Sequence, residues 1–196
     1  MKKVLLLMLA TAITMAAGSA NADSIKGKAG ATARIGFVSP HDSDLGDFRI
    51  KPDIGVIGGG GLIYGVTDTI AAEFDITRSD AASDFPRSGG AGHLGVTNIS
   101  LGGQYRFSVT PTQMVPYIGA GLDILMSDYR HFDVDTTVGV HLSGGVDYFL
   151  NKQLALTAEL KGVVAPEADI SDGFGKQGNF DPSSIATTFG ARFFFY

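Results

Sequence analysis

After residue 22, apolar side chains recur at every second position, and no apolar run reaches the roughly 20 residues that a membrane-spanning helix needs. In Lys28–Val38, alanine, isoleucine and phenylalanine alternate with lysine, threonine and arginine, and Pro116–Met126 alternates in the same way. This period places successive side chains on opposite faces of a β-strand. The pattern predicts an all-β protein, which is either soluble or crosses a membrane as a closed barrel.

Eight segments carry the alternation or part of it, and they predict eight strands: Lys28–Val38, Asp53–Tyr64, Ile70–Thr77, His93–Phe107, Pro116–Met126, Val138–Tyr148, Leu154–Leu160 and Ile185 to the C-terminus. The connections alternate between short (Gly65–Thr69, Ser108–Gln113, Leu150–Gln153) and long (Ser39–Pro52, Arg78–Gly92, Ser127–Thr136, Ala165–Ser184). Short turns at one end and long loops at the other are typical of outer-membrane barrels, whose short turns face the periplasm. We therefore predict an eight-stranded antiparallel up-and-down transmembrane β-barrel in the cell outer membrane.

The N-terminal segment has the three parts of a secretory signal peptide. Lys2 and Lys3 precede an apolar run from Val4 to Ala17, and Ala20-Asn21-Ala22 has the form of a cleavage site. We expect residues 1–22 to be the signal peptide and residues 23–196 to be the barrel. An N-terminal membrane anchor is the alternative.

A secreted β-sandwich is the alternative to the barrel, because it also alternates apolar and polar faces. Two observations favour the barrel: the polar faces are rich in small residues, and aromatic residues lie near strand ends, namely Phe37, Tyr64, Phe107, Tyr148, Phe193 and Phe195. Their position predicts contact with outer-membrane lipid and lipopolysaccharide. The aromatic C-terminus, Phe193–Tyr196, is typical of outer-membrane barrels and predicts recognition by the barrel-assembly machinery.

Several function classes are disfavoured. The chain has no Cys, which excludes disulfides and thiolate chemistry, and its formal net charge of −5 without a basic run argues against nucleic acid as a partner. His141 and Ser143 resemble the His-x-Ser pair of outer-membrane lipid A deacylases, but the alternation turns both residues inward, away from lipid. We predict no enzyme activity, no catalytic residue, no metal site and no cofactor.

Five segments, in order along the chain, resemble the outer-membrane protein W (OmpW) family. They are Arg34-Ile-Gly-Phe-Val-Ser-Pro40, Thr67-Asp-Thr-Ile-Ala-Ala-Glu73, Val115-Pro-Tyr-Ile-Gly-Ala-Gly-Leu-Asp123, Gly145-Val-Asp-Tyr-Phe-Leu-Asn-Lys152, and Phe180-Asp-Pro182 with Gly190-Ala-Arg-Phe193. The resemblance implies an eight-stranded barrel and a role in the uptake of small apolar molecules across the outer membrane.

The inward residues fall into two groups by predicted height. Towards the periplasm and the middle lie charged residues that we expect to pair into a plug, because an unpaired buried charge costs several kcal/mol: Lys28, Arg34, Glu73, Asp75, Arg106, Asp123, Asp147, Glu159, Lys161 and Arg192. Towards the outside lie apolar residues that we expect to line a channel entrance: Val38, Ile57, Leu94, Val96, Leu125 and Val163. Ordinary core packing is the alternative for this second group.

The sequence thus predicts a narrow channel for small hydrophobic molecules, with an apolar outer funnel above a plug of paired charges. Because the plug blocks the way down, the remaining exit is sideways, and Gly58–Gly61 is the candidate weak point. Close packing against bulky neighbours is the other interpretation of these glycines. The alternative function is a barrel without transport, whose long loops serve adhesion or surface interaction.

Overall fold

The structure is a computed structural model that describes residues 24–41, 43–45, 48–50, 54–83, 92–107, 113–129, 132–134, 136–172 and 175–195. The predicted signal peptide, residues 1–22, lies outside these ranges. Eight long strands form the wall: β1 (Ala29–Pro40), β4 (Gly55–Gly65), β5 (Ile70–Ser83), β6 (Gly92–Arg106), β7 (Met114–Tyr129), β9 (Thr137–Phe149), β10 (Leu154–Val164) and β13 (Ser184–Phe194).

Each wall strand pairs antiparallel with the next one, and the first strand pairs with the last. Gly30 of β1 lies opposite Phe194 of β13, and the ladder continues without a register shift to Pro40 opposite Ser184. This pairing closes the sheet and leaves no open edge in the wall. The predicted eight-stranded antiparallel barrel is confirmed. Among the described residues, no helix is long and apolar enough to cross a membrane.

The two described short turns are fixed by side-chain hydrogen bonds. In the β4–β5 turn, Thr67 Oγ1 accepts a hydrogen bond from the backbone N–H of Ile70 at 2.9 Å. In the β9–β10 turn, Asn151 Oδ1 accepts one from the backbone N–H of Leu154 at 2.8 Å. Threonine and asparagine favour such turns because their side chains replace a backbone acceptor. We call this end of the barrel the short-turn end.

At the opposite end, the wall reaches further than the sequence predicted. β5 continues to Ser83 rather than Thr77, β7 to Tyr129 rather than Met126, and β10 to Val164 rather than Leu160. The segments predicted as long loops also contain strands: β2 (Ser43–Leu45), β3 (Phe48–Ile50), β8 (Phe132–Val134), β11 (Ala168–Asp172) and β12 (Gly175–Phe180). These strands pair with one another and with β7, so the sheet continues beyond the barrel wall. Hydrogen bonding between neighbouring loops overrides their polar, glycine-rich composition.

The faces of the wall are the inverse of those in a soluble protein. Outward side chains are apolar and exposed, as in Leu142 with 73% of its surface accessible, whereas inward Asp123, Asp147 and Arg192 are completely buried. The six predicted girdle aromatics, Phe37, Tyr64, Phe107, Tyr148, Phe193 and Phe195, all belong to the exposed outward set. Five of them lie near the short-turn end and Phe37 lies near the other end. Charged side chains are enclosed in the lumen and the outer surface is apolar, which suits a lipid environment.

Candidate functional site in the barrel lumen

The lumen is built in three layers, and the lowest is apolar. At the short-turn end, one buried cluster closes the barrel: Ile25, Ile63, Ala71, Val115, Phe149, Ala155 and Phe194. The rings of Phe149 and Phe194 stack with their centroids 5.8 Å apart. Only charged side chains were predicted at this end, so the apolar base layer differs from the prediction. The sequence does contain a signal for this layer, because the cluster residues that belong to strands lie at inward-facing positions of the alternation.

Arg192 organises the charged layer above the base. Its guanidinium donates to Asp147 Oδ2 and to Glu73 Oε1, both at 2.7 Å, and its Nε donates to Thr32 Oγ1 at 3.1 Å. Arg106 donates to the same Asp147 oxygen at 2.6 Å. Two guanidinium groups therefore enclose one carboxylate. Such buried pairs hold their geometry because separating them leaves a desolvated charge.

Tyr117 fills the centre of this layer, and the sequence analysis did not single it out as a lumen residue of the plug. The guanidinium carbons of Arg106 and Arg192 lie 5.8 and 5.6 Å from the centroid of its ring. Its hydroxyl donates to Glu159 Oε2 at 3.0 Å. The ring has room because Gly145 lies opposite on β9, where a Cβ atom would approach the Tyr117 hydroxyl to 2.4 Å.

Arg34 forms the top of the charged layer. Its guanidinium contacts three carboxylates: Glu159 Oε1 at 2.7 Å, Glu73 Oε1 at 2.9 Å and Asp75 Oδ1 at 3.1 Å. Gln104 joins this group to Arg106, since its amide donates to Glu73 Oε2 at 2.5 Å and its carbonyl accepts from Arg106 at 3.3 Å. The hydrogen bonds thus cross the lumen between strands far apart in sequence.

A second charge group is centred on Asp123. Lys161 Nζ donates to its Oδ1 at 2.9 Å, Asn98 Nδ2 at 2.7 Å and Ser100 Oγ at 2.5 Å, while His141 Nδ1 contacts Oδ2. His141 therefore binds a carboxylate across a strand pair. This arrangement orients His141 toward Asp123 rather than toward Ser143.

Nine of the ten predicted plug residues meet in these two groups. Lys28 is the exception: it precedes β1 beside the short-turn end, and its backbone N–H donates to Ile25 at 2.9 Å. Four bases, Arg34, Arg106, Lys161 and Arg192, face five acids: Glu73, Asp75, Asp123, Asp147 and Glu159. The groups carry one more acid than base if His141 is neutral.

The third layer is a cavity of about 60 Å³ on the long-loop side of the charges. Five of the six predicted apolar lining residues border it: Val38, Ile57, Val96, Leu125 and Val163. The side chain of Leu94, the sixth, lies outside the described part of the chain. Small residues complete the wall, among them Ala81 and Ala186, and Arg34, Asp75, Glu159 and Lys161 form the floor.

Gly58–Gly61 passes beside this cavity without a break in the wall. β4 keeps a continuous register with β1 and with β5 through all four glycines. A Cβ on Gly61 would lie 2.1 Å from Asp75 Oδ1 and 2.2 Å from the carbonyl oxygen of Phe74, so close packing requires glycine there. At Gly58 the nearest atom would be 3.8 Å away. The glycines therefore differ: Gly61 makes room for Asp75 inside the barrel, whereas Gly58 faces outward, where a side chain would fit.

The polar side chains that face the lumen form ion pairs and hydrogen bonds with one another. In the described ranges, no three histidine or carboxylate side chains form a group that could hold a metal ion. Chemically, the arrangement can exclude ions through its paired charges and can accommodate a small apolar group in the cavity above them.

This architecture is shared with known proteins. The family model described as "Outer membrane protein beta-barrel domain" matches residues 6–193. The crystal structure of the outer membrane protein OprG from Pseudomonas aeruginosa has a TM-score of 0.70 at 17% identity, covering 90% of this chain and 100% of that one. Neisserial surface protein A (NspA) has a TM-score of 0.62 at 15% identity, covering 85% and 97%.

The outer membrane protein W of E. coli, solved by NMR in solution, has a TM-score of 0.52 at 15% identity, covering 87% of this chain and 99% of that one. At such identities the likeness to solved structures shows a shared fold alone. No curated protein matches the chain in sequence.

Proposed function

The chain belongs to the outer membrane protein β-barrel domain family and lies in the cell outer membrane, and we propose that it is a narrow OmpW-type channel for small hydrophobic molecules. The cavity carries this proposal. Half of its lining residues are apolar, among them Val38, Leu125 and Val163, where a water-filled porin would be polar throughout. An apolar solute gains free energy when it leaves water for such a wall, without needing a specific polar contact.

The charged layer and the base layer oppose passage straight down the lumen. A solute leaving the cavity downward would have to separate the contacts of Arg34 and Arg192 with their carboxylates. It would then meet the packed rings of Phe149 and Phe194. Breaking one buried ion pair costs about 3–5 kcal/mol, which a small apolar molecule cannot supply.

A sideways exit into the membrane is therefore part of the proposal. At the height of the cavity, the outer face of β5 carries exposed Arg78 and Asp80, whereas β1 and β4 carry exposed Phe37 and Val56. An apolar molecule leaving through the wall meets lipid on the β1–β4 side and charge on the β5 side. Gly58, two positions after exposed Val56, lies on this favourable side and has no side chain to cover the wall, so the exit is proposed there. The continuous β1–β4 pairing means that the exit must open transiently.

We also propose that outer-membrane lipid and lipopolysaccharide surround the outward face, and that the C-terminal aromatics serve recognition by the barrel-assembly machinery. The exposed rings of Phe193 and Phe195, whose centroids lie 5.5 Å apart, support both roles.

Uptake of radiolabelled toluene by intact cells tests the channel. Cells that produce the wild-type protein should take up toluene faster than cells without it. Leu125→Asp should remove that gain, because a buried carboxylate in the wall costs several kcal/mol to desolvate. Leu125→Met, which keeps volume and apolarity, should retain it. Equal amounts of folded barrel are verified by electrophoretic mobility without heating. Undiminished uptake by Leu125→Asp would refute the channel.

A further inference from the structure

Two buried oxygen atoms at the cavity floor receive no hydrogen bond from any described residue of the protein. They are Oδ1 of Asp75 and Oδ1 of Asn98, and both residues line the cavity. Asp75 on β5 lies opposite Ser100 on β6, and Thr77 lies opposite Asn98, so the two side chains are diagonal neighbours on the same inner face. A buried acceptor without a donor costs free energy, which a suitable ligand would recover.

Asp75 is also the least neutralised acid of the lumen. Its only ion pair among the described residues is with the Arg34 NH2 group at 3.1 Å, off the hydrogen-bonding direction, and Glu73 binds the same nitrogen at 2.9 Å. Glu73, Asp147 and Glu159 each accept a direct hydrogen bond from a guanidinium. Asp75, beside the cavity, is therefore the carboxylate of the charged layer whose charge is least compensated by hydrogen-bonded cations.

We infer that the cavity floor binds the ammonium group of a small primary alkylamine. Its N–H groups would donate to Asp75 Oδ1 and Asn98 Oδ1, and its short tail would lie against Val38, Leu125 and Val163. This inference rests on the proposed function and narrows it: the cavity takes amphiphiles with a donor-rich cationic head in preference to neutral or anionic ones. Charge-assisted hydrogen bonds are about twice as strong as neutral ones, which sets the preference.

The two cations at the floor do not cancel this preference. Lys161 Nζ is held by Asp123 Oδ1 and Ser100 Oγ, and the Arg34 guanidinium is shared among three carboxylates. A ligand carboxylate could reach the Nε of Arg34, the unpartnered donor among the buried polar atoms that border the cavity, but it would lie against Asp75 and Glu159. An alcohol should bind less tightly than an ammonium group, because its hydroxyl has one donor for the two acceptors, Asp75 Oδ1 and Asn98 Oδ1.

NMR titration of the mature wild-type protein in lipid nanodiscs tests this. The probes are butylammonium, 1-butanol and butyrate, which share one tail, and the reporter is the side-chain amide of Asn98. Butylammonium should saturate at a concentration about tenfold below that of butanol, and butyrate should not saturate. Asp75→Asn should weaken butylammonium binding about tenfold. Asp80→Asn, on the same strand but exposed outside, should leave that binding unchanged.

Three results would overturn the ammonium site. They are butanol binding as tightly as butylammonium, butyrate binding more tightly than butylammonium, and an Asp75→Asn variant that binds butylammonium as tightly as the wild type does. If Asp75→Asn does not fold, the comparison of the three probes on the wild-type protein tests the ammonium site by itself. If the probes bind equally and Leu125→Asp abolishes that binding, the ammonium site falls and the channel stands. If none binds saturably, both fall.

Discussion

The lumen has two apolar regions, at its two ends, and only one of them contains space. The base layer at the short-turn end closes around the stacked rings of Phe149 and Phe194. The cavity at the other end also has apolar side chains in its wall, such as Val38, Leu125 and Val163, yet about 60 Å³ remains open above its charged floor. Apolarity alone therefore does not identify a binding region in a barrel this narrow.

Residue size makes the difference. Eight strands leave an interior just wide enough for side chains to fill. The base layer fills that width with two phenylalanine rings, whereas the described residues that line the cavity include no aromatic ring. The charged layer between the two regions separates them.

The largest effect on stability is expected in the charged layer. Arg192→Met should lower the free energy of unfolding by about 3–5 kcal/mol, because it leaves Asp147 and Glu73 buried with one partner fewer. Urea unfolding in detergent, followed by circular dichroism, measures this. Arg78→Met is the matched control: its contact with Asp80 spans 3.9 Å at the surface, so the change should stay within about 0.5 kcal/mol. Equal effects of the two substitutions would disprove the role given to Arg192.

The two apolar regions should respond differently to truncation. Phe149→Ala should cost about 3–5 kcal/mol, because it opens a cavity in a packed layer. Leu125→Ala enlarges a cavity that already exists, and its cost should be near the lower limit of about 2 kcal/mol for leucine truncation. The same unfolding measurement compares them. A larger loss for Leu125→Ala would mean that the upper region is the packed one.

A smaller effect is expected at the glycines beside the cavity. Gly61→Ala forces a Cβ against Asp75 and Phe74 and should cost about 1–3 kcal/mol. Gly58→Ala makes only an ordinary contact, 3.8 Å from the Arg34 carbonyl oxygen, and should be neutral or stabilising by about 0.4–1 kcal/mol, since it restricts the unfolded chain. Similar stabilities of the two variants would contradict the separate roles assigned to them.

Much of this architecture follows from the alternation. A period of two fixed which side chains face inward, so the inward positions of Arg34, Asp147 and Leu125 could be predicted from the residues alone. The charges could be expected to pair because they share a narrow, water-poor interior. The alternation does not give height precisely. Lys28 precedes β1 at the short-turn end and does not reach the charged layer. Phe149 and Phe194 also face inward, but the alternation did not identify them as a layer that closes the barrel.

The cross-lumen contacts could not be predicted, because they depend on how strands distant in sequence are staggered around the barrel. Arg34 and Glu159 are 125 residues apart, and their contact follows from the staggers of β1, β13 and β10 combined. The position of Tyr117 over Gly145 depends likewise on the β7–β9 register. Loop strands β2, β8, β11 and β12 arise from pairing between loops, for which alternation within one loop carries no information.

The most direct measurement is a crystal structure of the mature protein grown with 1-bromobutane, with the bromine located by its anomalous scattering. An open apolar cavity above closed layers predicts a bromine peak between Val38, Leu125 and Val163, and none between Arg192 and Phe149. A peak in the base layer, or binding only on the outer wall, would contradict the account.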